Sequence, residues 1–178
     1  MTDEKFQAKY FEGRIIVPNE DQANKIHNHG ATGKPLSEGR LQLSPVEALY
    51  LLDQDKLEIT DEEKDEELNF DTLSSKIAEE DSDIMLKYRL YRDLKSRGFV
   101  IKTGLKYGSH FRVYDRGEKP GTDHSPYLVH AISENKDLTP QEIARSVRLA
   151  HGVRKKMIFG IVDDEGDITY YSVNREKL

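Results

Sequence analysis

Two apolar segments, residues 127–133 and 156–162, constrain the fold more than any other part of the chain. They read YLVHAIS and KMIFGIV, with apolar side chains at both odd and even positions. Side chains alternate between the two faces of a strand, so neither segment has a fully polar face. Strands of this kind lie in the centre of a sheet that is covered on both sides. We therefore expect the carboxy-terminal half to be a mixed α/β unit.

A helix is predicted between these two strands, over residues 140–152. It begins with the capping box Thr139-Pro140-Gln141-Glu142, and Ile143, Val147 and Ala150 share one side of it. The same reasoning predicts strands at 99–103, 109–115 and 168–173, and a hairpin that turns at residues 164–167.

The amino-terminal half has shorter elements. We expect strands around a turn near Glu12-Gly13, strands at 41–43 and 57–59, and helices at 19–27, 45–53, 71–80 and 82–97, with Asp71 capping the third. The acidic segment 61–67 is interpreted as a solvated helix or the lead-in to one, because its carboxylates are sequential rather than convergent, which makes a metal site improbable.

The predicted fold class is α+β. A small mixed α/β domain should occupy residues 1–80, and an α/β domain with a central mixed sheet should occupy residues 81–178. The boundary is placed within 68–85, where the composition changes from acidic to basic.

Charge is divided unequally along the chain. The net charge is −6, yet residues 1–85 carry 9 Lys and Arg against 21 Asp and Glu, whereas residues 86–178 carry 18 against 12. The basic half is therefore a candidate surface for a polyanion. The alternative is a surface that is simply rich in both signs, as in proteins from thermophiles.

The chain has no cysteine, which excludes disulfides and thiolate metal sites. The charged amino terminus lacks the apolar core of a signal peptide, and no run approaches the ~18 apolar residues of a membrane span. We expect a cytoplasmic protein without membrane association.

Candidate catalytic residues lie between Lys106 and Lys156. Alternation places Tyr114 on the strand face opposite Phe111 and Val113, where it could be a general base or a surface packing residue. His124, in the loop GTDHSP before a buried strand, is a reasonable general acid. Arg145 and Arg148 could face a phosphate together, and the basic run at residues 154–156 could bind phosphate or complement the helix dipole.

These segments together resemble the archaeal tRNA-splicing endonucleases. The similarity is carried in order by GKPLSEGRLQLSPVEALYLLDQDKLEI, HFRVYD, TDHSPYLVHA, SVRLAHGVRKKMIFGIVD and ITYYSVNR. It extends over nearly the whole chain, and the length resembles the single-unit form that assembles as a homotetramer, a dimer of dimers.

The resemblance implies cleavage of precursor tRNA without a metal or other cofactor, at bulge-helix-bulge sites, with 5′-hydroxyl and 2′,3′-cyclic phosphate ends. The family's catalytic tyrosine and histidine match Tyr114 and His124. Its lysine matches Lys155 or Lys156, and its position just before the apolar strand favours Lys155. Its two base-stacking side chains match Arg148 and Arg175.

The acidic cluster before the last strand has two interpretations. It is either a solvated hairpin tip or, as the resemblance implies, a loop that inserts into a neighbouring subunit during assembly; its members are Asp163, Asp164, Glu165 and Asp167. For the whole chain, the alternatives are a non-catalytic RNA-binding subunit of a splicing endonuclease and an acidic adaptor whose basic half binds a protein.

Overall fold

The structure is a computed structural model that describes residues 4–178 as two compact units, which divide after Tyr88. The first unit contains a six-stranded sheet in the order β3-β4-β2-β1-β5-β6. Only β1 and β5 pair in parallel, and the other neighbours are antiparallel. The strands are β1 Phe6–Phe11, β2 Arg14–Val17, β3 Lys34–Pro35, β4 Leu41–Leu43, β5 Leu57–Asp61 and β6 Glu66–Leu68.

Three helices belong wholly to this unit: α1 Glu20–Asn28, α2 Pro45–Asp53 and α3 Phe70–Ala78. The predicted capping box of α2 is present, because the Glu47 carboxylate accepts the backbone N–H of Ser44 at 2.8 Å. The same carboxylate accepts the backbone N–H of Gly33 at 2.9 Å. Glu47 therefore ties the start of α2 to the segment that enters β3.

The interpretation of residues 61–67 as a helix or its lead-in was wrong. These residues form the end of β5, a turn and the start of β6, with Ile59 opposite Leu68. Asp61 is only 1% exposed, accepts the backbone N–H of Glu63 and lies 3.3 Å from the ammonium of Lys76. A buried carboxylate held in this way fixes a turn, which charge density alone does not reveal.

The prediction of Asp71 as a helix cap was also wrong, by two residues. Asn69 is the cap of α3, because its side-chain oxygen accepts the N–H of Thr72 at 2.9 Å. The Thr72 hydroxyl in turn accepts the N–H of Asn69 at 2.8 Å. This reciprocal pair satisfies two amides at the helix start, so Asp71 lies inside the first turn.

The second unit is built on a five-stranded mixed sheet in the order β11-β10-β9-β8-β7. The strands β9 and β10 are parallel, and the remaining neighbours are antiparallel. The strands are β7 Val100–Thr103, β8 Phe111–Tyr114, β9 Tyr127–Ser133, β10 Lys156–Val162 and β11 Ile168–Val173. The last three have the predicted bounds, whereas β7 and β8 are shorter than predicted.

Helices cover both faces of the central strands, as the apolar pattern predicted. Helix α5, Pro140–Gly152, packs on one face, where Ala150 joins a core cluster with Leu128, Ile132, Met157 and Phe159. On the other face lies α4, Ile84–Ser96, whose Leu90 approaches Gly160 of β10. The mixed α/β architecture expected for both halves is therefore confirmed.

Candidate active site

Most of the predicted site residues lie at one end of the strands of the second sheet. The parallel strands β9 and β10 both begin there, with Tyr127 opposite Lys156. The antiparallel strand β8 ends there, with Val113 opposite Tyr127. Tyr114 therefore lies at the end of β8, His124 in the loop before β9, and Lys155 directly before β10. We call this end of the sheet the site edge.

Lys155 is the most firmly held of these side chains. Its ammonium donates hydrogen bonds to the backbone carbonyl of Ser125 at 2.6 Å and to the Ser125 hydroxyl at 2.7 Å. It also lies 5.5 Å from the centre of the Tyr107 ring, within the range of a cation–π contact. The neighbouring Lys156 is exposed. The structure thus distinguishes Lys155, which the sequence pattern favoured, from the exposed Lys156.

His124 is exposed in a loop that is folded on itself. The side chain of Asp123 accepts the backbone N–H of Lys119 at 2.6 Å, and the Thr122 hydroxyl donates to the Lys119 carbonyl. Next along the chain, Ser125 is buried. The imidazole therefore projects from a short turn that is anchored on both sides, which is what a general acid that meets a substrate from solvent requires.

Tyr114 is 4% exposed, so it packs in the interior rather than on the surface. It pairs with Val100 of β7 and lies one residue beyond the last contact of β8 with β9. Arg112, two residues earlier on the same face, is over the Tyr107 ring at 5.6 Å and donates to the Thr103 carbonyl. Tyr114 thus lies at the site edge, two residues after Arg112 on the same strand face.

The two candidate base-stacking arginines are both exposed. Arg148 lies in α5, which runs back to the site edge because it connects the end of β9 to the start of β10. Its Nε donates to the Ala144 carbonyl of the preceding turn at 3.3 Å. Arg175 follows β11, whose last residue Val173 is opposite Met157, so it also lies at the site edge.

The acidic loop lies at the opposite edge of the sheet. Seven residues of β10 separate it from Lys155, or about 23 Å of strand. The backbone N–H of Asp164 donates to the Glu134 carboxylate at 2.8 Å, and the Asn135 amide donates to the Asp164 carboxylate at 2.8 Å. Asp163 accepts the N–H of Asp167. The loop is therefore an ordered hairpin turn, in which Asp164, Glu165 and Asp167 are exposed.

Two residues of the site were not identified from the sequence, Ser125 and Tyr107. The signal for Ser125 was its place directly after the loop histidine, at the start of a strand that pairs in parallel with the strand after Lys155. In residues 4–178, no group of three or more His, Asp or Glu side chains is arranged to hold a metal ion. Within the same residues, no helix is both long enough and apolar enough to cross a membrane.

A known family matches both units. The tRNA intron endonuclease N-terminal domain matches residues 7–74, and the tRNA intron endonuclease catalytic C-terminal domain matches residues 84–170. The second match includes Tyr114, His124, Arg148 and Lys155 as well as the acidic loop, whereas Arg175 lies beyond it.

The chain is similar to tRNA-splicing endonucleases of several archaea. It is 44% identical to that of Methanothermobacter thermautotrophicus over 85% of this chain and 86% of the relative, and 42% identical to that of Thermococcus gammatolerans over 90% and 92%. It is 40% identical to that of Methanococcoides burtonii over 96% of this chain but only 48% of the relative. The chain belongs to the tRNA intron endonuclease family and is an enzyme of that family.

Proposed function

We propose that this enzyme excises introns from precursor tRNA by cutting at bulge-helix-bulge sites. The observation that carries the proposal is the convergence of Tyr114, His124 and Lys155 at the site edge of a unit that matches the family's catalytic domain. We assign residues 81–178 as the catalytic nuclease domain and residues 1–80 as a structural domain.

RNA supplies its own nucleophile, the 2′-hydroxyl beside the scissile phosphate. In the proposed reaction Tyr114 takes the proton of that hydroxyl, a P–O2′ bond forms and the P–O5′ bond breaks. His124 gives a proton to the departing O5′, and Lys155 stabilises the negative charge on the phosphorane. The products are a 5′-hydroxyl and a 2′,3′-cyclic phosphate. Because three side chains supply base, acid and positive charge, we propose that the reaction needs no metal ion or other cofactor.

The choice of tyrosine as the base requires a cation nearby. A free tyrosine has a pKa of about 10, so few phenols are ionised at neutral pH, and an adjacent positive charge favours the tyrosinate. Arg112 lies two residues before Tyr114 on the same face of β8, and Lys155 lies directly before β10 at the same end of the sheet; we propose that one of them supplies this charge. A pH–rate profile that is unchanged in Tyr114→Phe would exclude Tyr114 as the base.

Substrate recognition is proposed to depend on the shape of the RNA. Splayed bulge bases can stack on guanidinium planes, whereas A-form grooves hide most sequence information. Arg148 and Arg175 are both exposed, and both lie toward the site edge. We expect Arg148→Ala to slow cleavage without unfolding the chain. Arg148→Lys should be nearly as slow, because it keeps the charge but loses the stacking plane; full activity of either variant would contradict the assignment.

The proposed assembly is a homotetramer, a dimer of dimers, in which the loop of Asp163, Asp164, Glu165 and Asp167 enters a basic pocket of a neighbouring subunit. Its ordered turn at the far edge of the sheet is compatible with such a contact. Charge reversal at Asp164 and Asp167 should dissociate the tetramer in sedimentation experiments. Reversal of Glu63 and Glu66, in the other acidic hairpin, makes the same change in charge and should leave assembly intact.

The decisive experiment is cleavage of an intron-containing precursor tRNA in excess EDTA, with analysis of the end groups. Wild type should give cyclic phosphate ends in the presence of EDTA. His124→Ala should lose cleavage, whereas the control His29→Ala, another exposed histidine, should keep it. A folded wild type that does not cut would favour the alternative of a non-catalytic RNA-binding subunit. We also propose that the enzyme acts in the cytoplasm.

A further inference from the structure

We propose that Ser125 is a positioning residue that aims the Lys155 ammonium at the scissile phosphate, and that the Tyr107 ring supports it. This inference rests on the catalytic role proposed for Lys155. It goes beyond that role because it explains how a long, flexible side chain is held in one place before substrate binds.

The inference follows from the number of N–H donors on the Lys155 ammonium. A lysine ammonium has three N–H donors. Two of them are used by one residue, the carbonyl and the hydroxyl of Ser125, at 2.6 and 2.7 Å. The third donor is left to point elsewhere, and a phosphate oxygen is the acceptor that the proposed reaction brings to this edge. A fixed donor costs no reorganisation when charge develops in the transition state.

Ser125 is suited to positioning. It is 3% exposed, and its carbonyl and its hydroxyl both accept hydrogen bonds from the Lys155 ammonium. Its backbone is fixed as well, since the next residue, Pro126, accepts the N–H of Lys156 at 2.9 Å. The segments 125–126 and 155–156 are therefore joined by one backbone hydrogen bond and two ammonium hydrogen bonds.

The same contacts set the spacing between the proposed acid and the proposed cation. His124 is covalently adjacent to Ser125, so the residue that orients the ammonium is also the anchor of the imidazole loop. A change at Ser125 that let Lys155 move would alter the cation without altering the residue types that do the chemistry. Loss of pre-organisation of this kind lowers kcat more than it raises KM.

Tyr107 supports the ammonium from another side. Its ring faces Lys155 and Arg112 at 5.5 and 5.6 Å. The ring is held by a short 3₁₀ turn, in which the backbone N–H of Tyr107 donates to the Gly104 carbonyl at 2.8 Å. The ring also packs against the core cluster beneath α5. It therefore offers a fixed π face to a cation that would otherwise be free to rotate.

The test is single-turnover and steady-state cleavage by Ser125→Ala, Lys155→Ala and the double variant. A hydrogen bond to a charged group is typically worth about 10-fold or more, so Ser125→Ala should lower kcat by about 10- to 100-fold with little change in KM. In the Lys155→Ala background the same change should cost nothing further, because the two residues act as a unit. Equal effects of Ser125→Ala in both backgrounds would overturn the inference.

Conservative variants show whether activity is lost because Lys155 is no longer positioned or because the chain no longer folds. Ser125→Thr keeps the hydroxyl and should recover more activity than Ser125→Ala, and Tyr107→Phe should retain more activity than Tyr107→Leu. Ser96→Ala removes a serine hydroxyl that donates to the Asp93 carbonyl and does not contact Lys155, so this control should cleave at the wild-type rate. Wild-type kcat in Ser125→Ala, with Lys155→Ala inactive, would refute the positioning role while leaving the catalytic role of Lys155 intact.

A readout without RNA keeps the inference testable if the proposed function fails. An ammonium with two fixed acceptors exchanges its protons slowly, so Lys155 should give a resolved ¹⁵N–¹H signal at low temperature that is lost in Lys155→Ala and broadened in Ser125→Ala. No such signal in wild type would refute the anchoring itself. Full cleavage by Lys155→Ala would instead refute the catalytic role.

Discussion

Gly160 of β10 packs against Leu90 of helix α4. A Cβ atom added there would lie 2.4 Å from Leu90 Cδ1 and 3.2 Å from Tyr170 Cε1. The first distance is well inside van der Waals contact, and Leu90 is fully buried, so its side chain cannot swing into solvent. We therefore predict that Gly160→Ala is destabilising although alanine is the smallest possible addition.

Overpacking of a filled core typically costs about 1–3 kcal/mol. For a chain of this size each kcal/mol lowers Tm by about 2–4 °C. Leu90→Ala alone should cost about 2–5 kcal/mol, because it leaves a cavity. The double variant should cost less than the sum of the two single variants by more than about 0.5 kcal/mol, because truncated Leu90 leaves room for the new methyl group.

The assay is urea denaturation followed by circular dichroism, with Gly152→Ala as the matched control. A Cβ at Gly152, the last residue of α5, would meet no heavy atom within 4 Å. This control should therefore change stability by no more than about 0.5 kcal/mol. If the effects of Gly160→Ala and Leu90→Ala simply add, the proposed clash between the two side chains does not exist.

Three further predictions concern buried and capping side chains. Burial, aided by the charge of Lys136, lowers the pKa of His130; stability should therefore fall as pH drops below the unfolded value of about 6.5, and His130→Gln should flatten the urea midpoint between about pH 7 and pH 5. If the urea midpoint of His130→Gln depends on pH as steeply as that of wild type, this prediction is wrong. Lys76→Met removes the cation 3.3 Å from buried Asp61 and should cost about 1–3 kcal/mol in urea denaturation; an unchanged midpoint would show that the ion pair contributes nothing. Thr139→Ala removes the cap that accepts the N–H of Glu142 and should cost about 1 kcal/mol in a thermal melt, whereas an unchanged Tm would argue against the cap.

Much of the second unit could be predicted because its local signals agree with one another. The strands at 127–133, 156–162 and 168–173 and the helix at 140–152 have the predicted bounds. Apolar runs of strand length, a capping box and a glycine-containing turn each favour the same boundaries. Strands β7 and β8 are shorter than predicted. Strand β8 begins late because the Ser109 hydroxyl donates to the Phe111 carbonyl and a 3₁₀ turn occupies the residues before it.

In the first unit, the local sequence pattern did not predict the conformation of residues 61–67. Residues 61–67 have no apolar period, and their conformation depends on Asp61, which is buried beside a lysine from a helix fifteen residues away. The hydrogen bonds between Lys155 and Ser125 could not be predicted for the same reason, because the two residues are thirty positions apart in the sequence. The family resemblance limited the lysine to two positions and favoured Lys155, but its contact with Ser125 depends on the parallel register of β9 and β10.

The crossover from β9 through α5 to β10 also has a kinetic consequence. Parallel strands joined by a helix form late, because a long loop must close before any pairing contact is gained. His124 and Lys155, the proposed acid and the proposed cation, lie on opposite sides of that loop, so the proposed site is incomplete until β9 and β10 pair. The rate at which activity appears after dilution from urea should report the pairing of β9 with β10 rather than the formation of any single helix.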